Sequence, residues 1–448
     1  MWLKKQGRIT PAQIILIGFM ALILAGTGLL MLPISTQDGA GANFSDALFT
    51  ATSATCVTGL IVQDTATYWS GFGQAVLLAL IQTGGMGVVT MAIAVEIFSG
   101  RKIGLRQRFV MQESISAPQM GGIVRITGFI LKATLLFEGA GAVLMAFRFC
   151  PRMGFFRGLW YAVFHSVSAF CNAGFDLMGV EAKFASLTGF VGDPVVNAAV
   201  MLLIITGGIG FFVWDDIRKN KWRFRAYRLQ TKIVLTTTAV LLAAPFAFYL
   251  AYEFTAANWG ELTAGQRVWA ALFQAVSPRT AGFNTVDLAQ MQTPSLLVMI
   301  VLMLVGGSPG STAGGFKTTS LAVVFLCIRA VLCRRDSIQV FGRRFPPEVL
   351  RNTVTILFLY VLLFLLGGVA LCCLDGIPML AALFESASAV GTVGLTLGVT
   401  TQLGTVSRII LMLMMLFGRV GAMTMLYAFT GNFVPSPAQM PQEKITVG

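Results

Sequence analysis

The 448-residue chain is 56% hydrophobic and only 11% charged, with a mean hydropathy of +0.78. That composition excludes a soluble globular domain and marks a polytopic α-helical membrane protein, since apolar runs near the ~20 residues needed to span a bilayer recur throughout. The net charge of +13 is carried mainly between those runs, as expected of cytoplasmic loops, and does not point to nucleic acid.

In chain order, Lys4, Lys5 and Arg8 precede a first span, Gln13 to Met31, which is too long for a signal-peptide core. Asn43 to Leu60 is a short, half-apolar segment. Gln74 to Phe98 is a second span bearing Thr83-Gly84-Gly85-Met86-Gly87, and Arg101, Lys102, Arg106 and Arg108 follow it. The plan then recurs. Ile126 to Phe147 spans, Phe156 to Phe175 is short, and Val195 to Trp214 spans with Thr206-Gly207-Gly208-Ile209-Gly210, before a basic loop from Arg218 to Arg228. A third round has Ile233 to Tyr252, the short Arg267 to Phe283, and an apolar run from Leu296 that breaks into glycines; Arg329, Arg334, Arg335, Arg343 and Arg344 follow. In the fourth, Thr353 to Leu374 spans, Met379 to Leu395 is short, and Ile409 to Phe429 carries Gly418-Arg419-Val420-Gly421. A polar tail, Gly431 to Gly448, closes the chain.

One unit of roughly 110 residues therefore occurs four times, at a period suited to a parallel-repeat membrane protein rather than a solenoid. The units run 1–110, 111–228, 229–345 and 346–430, with the tail at 431–448. Phe49, Phe164, Phe273 and Phe384 each precede a serine by four positions (Ser53, Ser168, Ser277, Ser388), and Gly59, Gly174, Gly282 and Gly394 follow. Basic loops always join one unit to the next, which puts them and both termini in the cytoplasm. The short segments face the other side and are too short to cross twice, so each reads as a half-helix going in and an extended strand coming out.

Four such segments around an axis would form a ring of backbone carbonyls, the device that replaces the hydration shell of a potassium ion. Glycine permits the dihedrals that turn carbonyls inward. The candidate filter is Val57-Thr58-Gly59-Leu60, Asn172-Ala173-Gly174-Phe175, Thr280-Ala281-Gly282-Phe283 and Thr392-Val393-Gly394-Leu395.

The stretch Gly306-Gly307-Ser308-Pro309-Gly310-Ser311-Thr312-Ala313-Gly314-Gly315 interrupts a membrane-type run. Irregular backbone at that depth must be buried in protein or line a watery cavity, and a broken helix points to a transport site. Gly310 to Thr318 nearly spells a phosphate-binding loop, but Phe316 separates Gly315 from Lys317 and no strand feeds it, so nucleotide binding is rejected. Arg419 lies within an apolar span, where a charge costs about 3 kcal/mol or more. By the repeat it matches Gly85, Gly208 and Gly307, so it should sit beneath the filter beside the broken helix, repelling cations and holding freed carbonyls. Lys317 reads as a snorkelling or loop-end lysine. Asp46 and Glu385 would either draw cations to the mouth or favour helix N-termini.

The four filter strings, the Gly306–Gly315 run and Gly418-Arg419-Val420-Gly421 resemble the Trk/Ktr/HKT superfamily of potassium transporters across essentially the whole chain. Thr10-Pro11, the run Arg101 to Arg108 and the tail Pro441 to Gly448 are similar to the membrane subunit of bacterial Ktr systems. The resemblance implies an all-α protein of four M1–P–M2 units, as in potassium channels, with about eight spanning helices and four re-entrant loops around one pseudo-fourfold pore. It implies an inner-membrane homodimer among lipid, with residues 306–315 as an intramembrane gate and Arg419 beside it. A cytoplasmic ring of KtrA-type subunits, an octamer in the family, would bind ATP, ADP or NAD and open the gate; this chain would carry no organic cofactor. Potassium is the implied cargo, with sodium stimulation open. A serine in the first filter accompanies sodium transport in plant relatives, and Gly59 stands there here. Two features depart from expectation: Cys56, and Pro278-Arg279 in the third half-helix.

Two other classes compete. A sodium- or proton-coupled symporter needs carboxylates within spans; Glu96 and Glu138 are the main candidates, and neither is expected to sit by a filter glycine. A membrane enzyme needs a nucleophile, base or metal constellation. The chain offers one histidine, His165, and seven scattered cysteines.

Overall fold

A computed structural model describes residues 9–98, 104–114, 123–180 and 182–430, with the isolated positions 441 and 443. Lys4, Lys5, Arg8, Arg101, Lys102 and most of the tail lie outside the described residues, as do both chain ends.

The described chain is mostly helix. It runs α1 (Pro11–Leu30), α2 (Phe44–Cys56), the single turn α3 (Thr65–Tyr68), α4 (Gly71–Met86), α5 (Val88–Phe98) and α6 (Leu105–Ser114). It continues through α7 (Ile123–Met153), α8 (Phe155–Phe170), α9 (Pro194–Ile209), α10 (Phe211–Asn220), α11 (Leu229–Phe248), α12 (Ala264–Val276), α13 (Thr293–Leu304) and α14 (Thr318–Leu332). After a hairpin of β1 (Gln339–Val340) and β2 (Arg343–Arg344) come α15 (Pro347–Asp375), α16 (Met379–Gly391), α17 (Thr405–Val420) and α18 (Ala422–Thr430).

Helix starts follow local chemistry. Thr10 and Gln13 form a capping box ahead of α1 with Pro11 in its first turn, Thr263 and Gln266 do the same for α12, and the Asp193 carboxylate accepts from Val195 and Val196 N–H at α9. On the long helices the usual polarity is inverted. In α15 the buried residues are Thr353, Tyr360, Gly367, Gly368 and Leu371, whereas Phe358, Leu365 and Leu366 point outward. Small and polar residues inside with leucine and phenylalanine outside is the pattern of a helix packed in lipid.

Among the described residues, four helices are long and apolar enough to span, and three bent pairs bring the total to seven. The expected eighth, from Leu296, is split into α13 and α14 around residues 305–317. The glycine-bearing second spans also differ from the continuous helices expected. They turn by 99° at Gly87, 93° at Gly210 and 99° at Gly421. These glycines have φ of +88°, +100° and +92°, which a side chain rarely tolerates.

Each short helix packs on a long one: α2 on α1, α8 on α7, α12 on α11, α16 on α15. Each also packs on the glycine-ended helix of the preceding group: α8 on α4, α12 on α9, α16 on α13, and α2 on α17, which closes a ring. Phe49, Phe164, Phe273 and Phe384 are fully buried within it.

Candidate functional site

The four short helices end alike. Val57, Asn172, Thr280 and Thr392 take left-handed φ of 57°, 60°, 64° and 51°, and Gly59, Gly174, Gly282 and Gly394 follow at 91°, 71°, 81° and 91°. Alternating the sign of φ in successive residues turns consecutive carbonyls to one side of a strand, and non-glycine residues adopt it only when the surroundings impose it. The repeated serines do so. Ser53 and Ser388 Oγ accept from Gly59 and Gly394 N–H at 3.1 and 3.0 Å, while Ser168 and Ser277 Oγ donate to the carbonyls of Phe175 and Phe283. The third arm is one residue shorter after its serine. The turn at Ser277, Pro278 and Arg279 absorbs the difference, so the backbone at Thr280 and Gly282 matches the other arms.

The four glycines meet around one axis. A Cβ added at Gly59 would lie 2.4 Å from the Ala173 carbonyl oxygen, at Gly174 2.8 Å from that of Ala281, at Gly282 2.4 Å from that of Val393, and at Gly394 2.2 Å from that of Thr58. Each arm thus abuts the next in cyclic order, with no room for a side chain at any glycine.

The 305–317 segment lies against the ends of α8 and α16, at Phe170, Asn172, Gly391 and Thr392. It is buried and bonded at both edges. Gly306 N–H donates to Phe316 O at 2.8 Å, Ser308 N–H to Gly208 O at 2.9 Å and Gly315 N–H to Gly418 O at 3.2 Å. Thr312 Oγ1 donates to the Phe170 carbonyl at 2.9 Å and lies 3.0 Å from the side-chain oxygen of Asn172, the first residue of the second arm. Arg419 spans the gap: its guanidinium donates to Thr312 O on the segment and, at 2.5 and 2.6 Å, to Gly84 and Gly85 O at the end of α4. Lys317 ends the segment and turns Nζ back to Ala313 and Gly314 O at 2.8 and 3.3 Å. A cavity of about 280 Å³ opens beside Gly310, Gly315, Lys317, Tyr360 and Arg419.

The acidic residues singled out in the sequence have specific partners. Asp46 is in the first turn of α2, paired with Arg408 at 2.9 Å and accepting from Gln63 at 3.0 Å, so it is not free at a mouth. Glu385 is fully buried against Thr396 and Thr400. Glu96 accepts from Gln107 at 2.8 Å. Glu138, remote from the filter glycines in sequence, accepts from Gln82 at 3.3 Å and lies 3.9 Å from the sulfur of Cys171, beside the second arm. Cys56 and Arg279 are both buried. The bends at Gly87, Gly210 and Gly421 and the acceptor carbonyls of Gly84 and Gly85 were not foreseen from the sequence. Their signal was the glycine cluster in every second span.

A family model described as "Cation transport protein", TrkH, matches residues 7–439. The chain belongs to the TrkH family of cation transport proteins. This is a family of transporters, not of enzymes. The chain is 39% identical to the Ktr system potassium uptake protein B of Bacillus subtilis (strain 168), covering 94% of this chain and 93% of that one. It is 36% identical to the potassium/sodium uptake protein NtpJ of Enterococcus hirae, covering 98% of each. The crystal structure of the potassium transporter TrkH from Vibrio parahaemolyticus superposes with a TM-score of 0.72 at 21% identity, covering 94% of this chain and 85% of that one, and so shares the fold.

Proposed function

We propose that the chain takes up potassium across a bacterial cytoplasmic membrane, through a pore in which four M1–P–M2 units present the ring of Gly59, Gly174, Gly282 and Gly394. The observation that carries this reading is the cyclic abutment of the four arms, each with the same alternation of positive φ. Carbonyls turned to a common axis can replace the hydration shell of a potassium ion. The relatives named as potassium uptake proteins supply the ion.

Residues 306–315 form the gate beneath the filter, and Arg419 is its latch. The segment lies across the path below the second arm, held by bonds to Gly84, Gly85, Gly207, Gly208 and Gly418 carbonyls, directly or through Arg419. A partner that moves α4, α9 or α17 would loosen the bonds which that helix makes to the segment, directly or through Arg419. The relatives named for a Ktr system support a partner subunit; the family resemblance makes it a cytoplasmic nucleotide-binding ring of KtrA type acting on a homodimer of this chain, whose basic loops and termini face the cytoplasm.

The test is growth of a potassium-auxotrophic bacterium expressing this chain, with and without a KtrA-type subunit, at low and raised sodium. Rescue in potassium-limited medium that depends on Gly394 supports the reading. No rescue under any pairing, with insertion verified, contradicts it. One observation favours a coupled symporter instead: Glu138 has no basic partner among the described residues and lies close to the second arm. That reading requires uptake to track a sodium or proton gradient, and Glu138→Gln to abolish the dependence.

A further inference from the structure

In each half-helix the residue after the repeated phenylalanine is polar and has no exposed surface: Thr50, His165, Gln274 and Glu385. Burying a polar group is costly unless it is hydrogen-bonded, so four such positions in register call for a reason. Two of them bond to the backbone or side chains that leave their own arm. His165 Nε2 accepts from Leu177 N–H at 3.3 Å, two residues past Phe175. Its Nδ1 lies 2.7 Å from Tyr161 O. A carbonyl only accepts, so Nδ1 carries the proton and Nε2 is free to receive. Glu385 accepts from Thr396 Oγ1 and, at 3.0 Å, from Thr400 Oγ1, just past Leu395. Those two threonines are 2.9 Å apart, so carboxyl and hydroxyls form one closed cluster.

The other two positions differ. Thr50 Oγ1 and both amide atoms of Gln274 have no hydrogen-bond partner among the described residues. The exit of the third arm is held from outside, where Asn284 N–H donates to Ser186 Oγ at 3.2 Å and Asn284 O accepts from Leu187 N–H at 3.0 Å. The cyclic order of the glycines sets the first arm opposite the third and the second opposite the fourth. Bracing from this position, the residue after the phenylalanine, therefore falls on one diagonal only; the exit of the first arm is tied to its half-helix from another position, where Gln63 donates to Asp46 at 3.0 Å.

We propose that His165 and Glu385 are positioning residues that fix the outer ends of the second and fourth arms and thereby set discrimination between potassium and sodium. This rests on the reading of the four arms as the ion filter. An arm tied to its half-helix at both ends cannot bow inward to follow a smaller ion. The serine clamps hold all four arms near the glycine, and the braces add the second tie where the strand leaves. Neither residue touches the ion.

The experiment is tracer potassium and sodium uptake by the full chain in liposomes. Glu385→Leu, His165→Leu and the double variant Thr396→Val/Thr400→Val each lower the potassium-to-sodium ratio by roughly two- to tenfold, the worth of a hydrogen bond or two. Glu385→Gln keeps an acceptor and restores most of the ratio. Thr50→Val and Gln274→Leu, equally buried but without a brace, stay within about twofold of the native ratio. The threonine pair leaves the half-helix untouched, so it reports even where a Glu385 variant fails to insert. Brace variants that keep the native ratio while Gly59→Ser lowers it overturn the proposal alone. If Gly59→Ser also leaves the ratio unchanged, the filter reading falls with it.

Discussion

The guanidinium of Arg419 holds the carbonyl of Gly85 at 2.6 Å, so the residue that occupies the glycine's place in the fourth unit is bonded to that glycine in the first. A charge at this depth persists only where its donors are used. Here they take up the carbonyls of Gly84 and Gly85 at the end of α4 and of Thr312 on the irregular segment, and so join the two.

Replacing Arg419 by alanine should therefore release the segment. Charge-assisted hydrogen bonds are worth about 1.5–3 kcal/mol each, and losing even one shifts a closed-to-open equilibrium roughly tenfold or more. The expected outcome is potassium flux in liposomes without any regulatory subunit, raised at least about tenfold over the native chain. Flux that stays at the native level would show that the arginine is only structural.

Deleting residues 310–314 tests the segment itself. It removes Thr312, which ties the segment to Arg419 and to Phe170, and Gly310, whose carbonyl accepts from Phe211 N–H at 2.8 Å. Uptake independent of the partner is expected. Flux unchanged from the native chain, in protein that inserts normally, would sink the gating role.

At Gly59 the φ is +91° and an added Cβ would lie 2.4 Å from the Ala173 carbonyl oxygen. Gly59→Ser should shift that neighbouring carbonyl and weaken discrimination against sodium, read as a lower potassium-to-sodium uptake ratio. Retained discrimination would count against a filter role for Gly59.

Gly210 joins the bend after α9 to the segment. Its φ is +100°, and an added Cβ would meet the Pro309 carbonyl oxygen at 2.8 Å. Gly210→Ala should lower stability by about 1–3 kcal/mol, the cost of a residue held in a sparsely populated backbone region. The check is thermal unfolding of the solubilised protein. An unchanged midpoint would mean that the bend relaxes without strain.

The half-helices were legible in the sequence because Phe-x-x-x-Ser and a following glycine recur in every unit, and a repeated pattern survives the noise that hides one glycine. The break at 305–317 was legible because six glycines and prolines cluster there. The bends at Gly87, Gly210 and Gly421 were not, since glycine in a membrane helix serves close packing as readily as a turn. The site of Glu138 was hidden for another reason. Its neighbours Gln82 and Cys171 come from α4 and from the end of α8, and no spacing within α7 announces them. The partner of Asp46 was hidden too, since the ring closes to bring Arg408 to it from the far end of the chain.

The central claim is that potassium passes through the ring of four glycines. Its most direct test is tracer potassium uptake into liposomes holding the purified chain, native against Gly394→Ala. At Gly394 the φ is +91° and an added Cβ would lie 2.2 Å from the Thr58 carbonyl oxygen. The variant should insert and fold, with a stability loss of about 1–3 kcal/mol from the strained backbone, and lose potassium-selective uptake. A variant that is folded, inserted and as fast and selective as the native chain would contradict it.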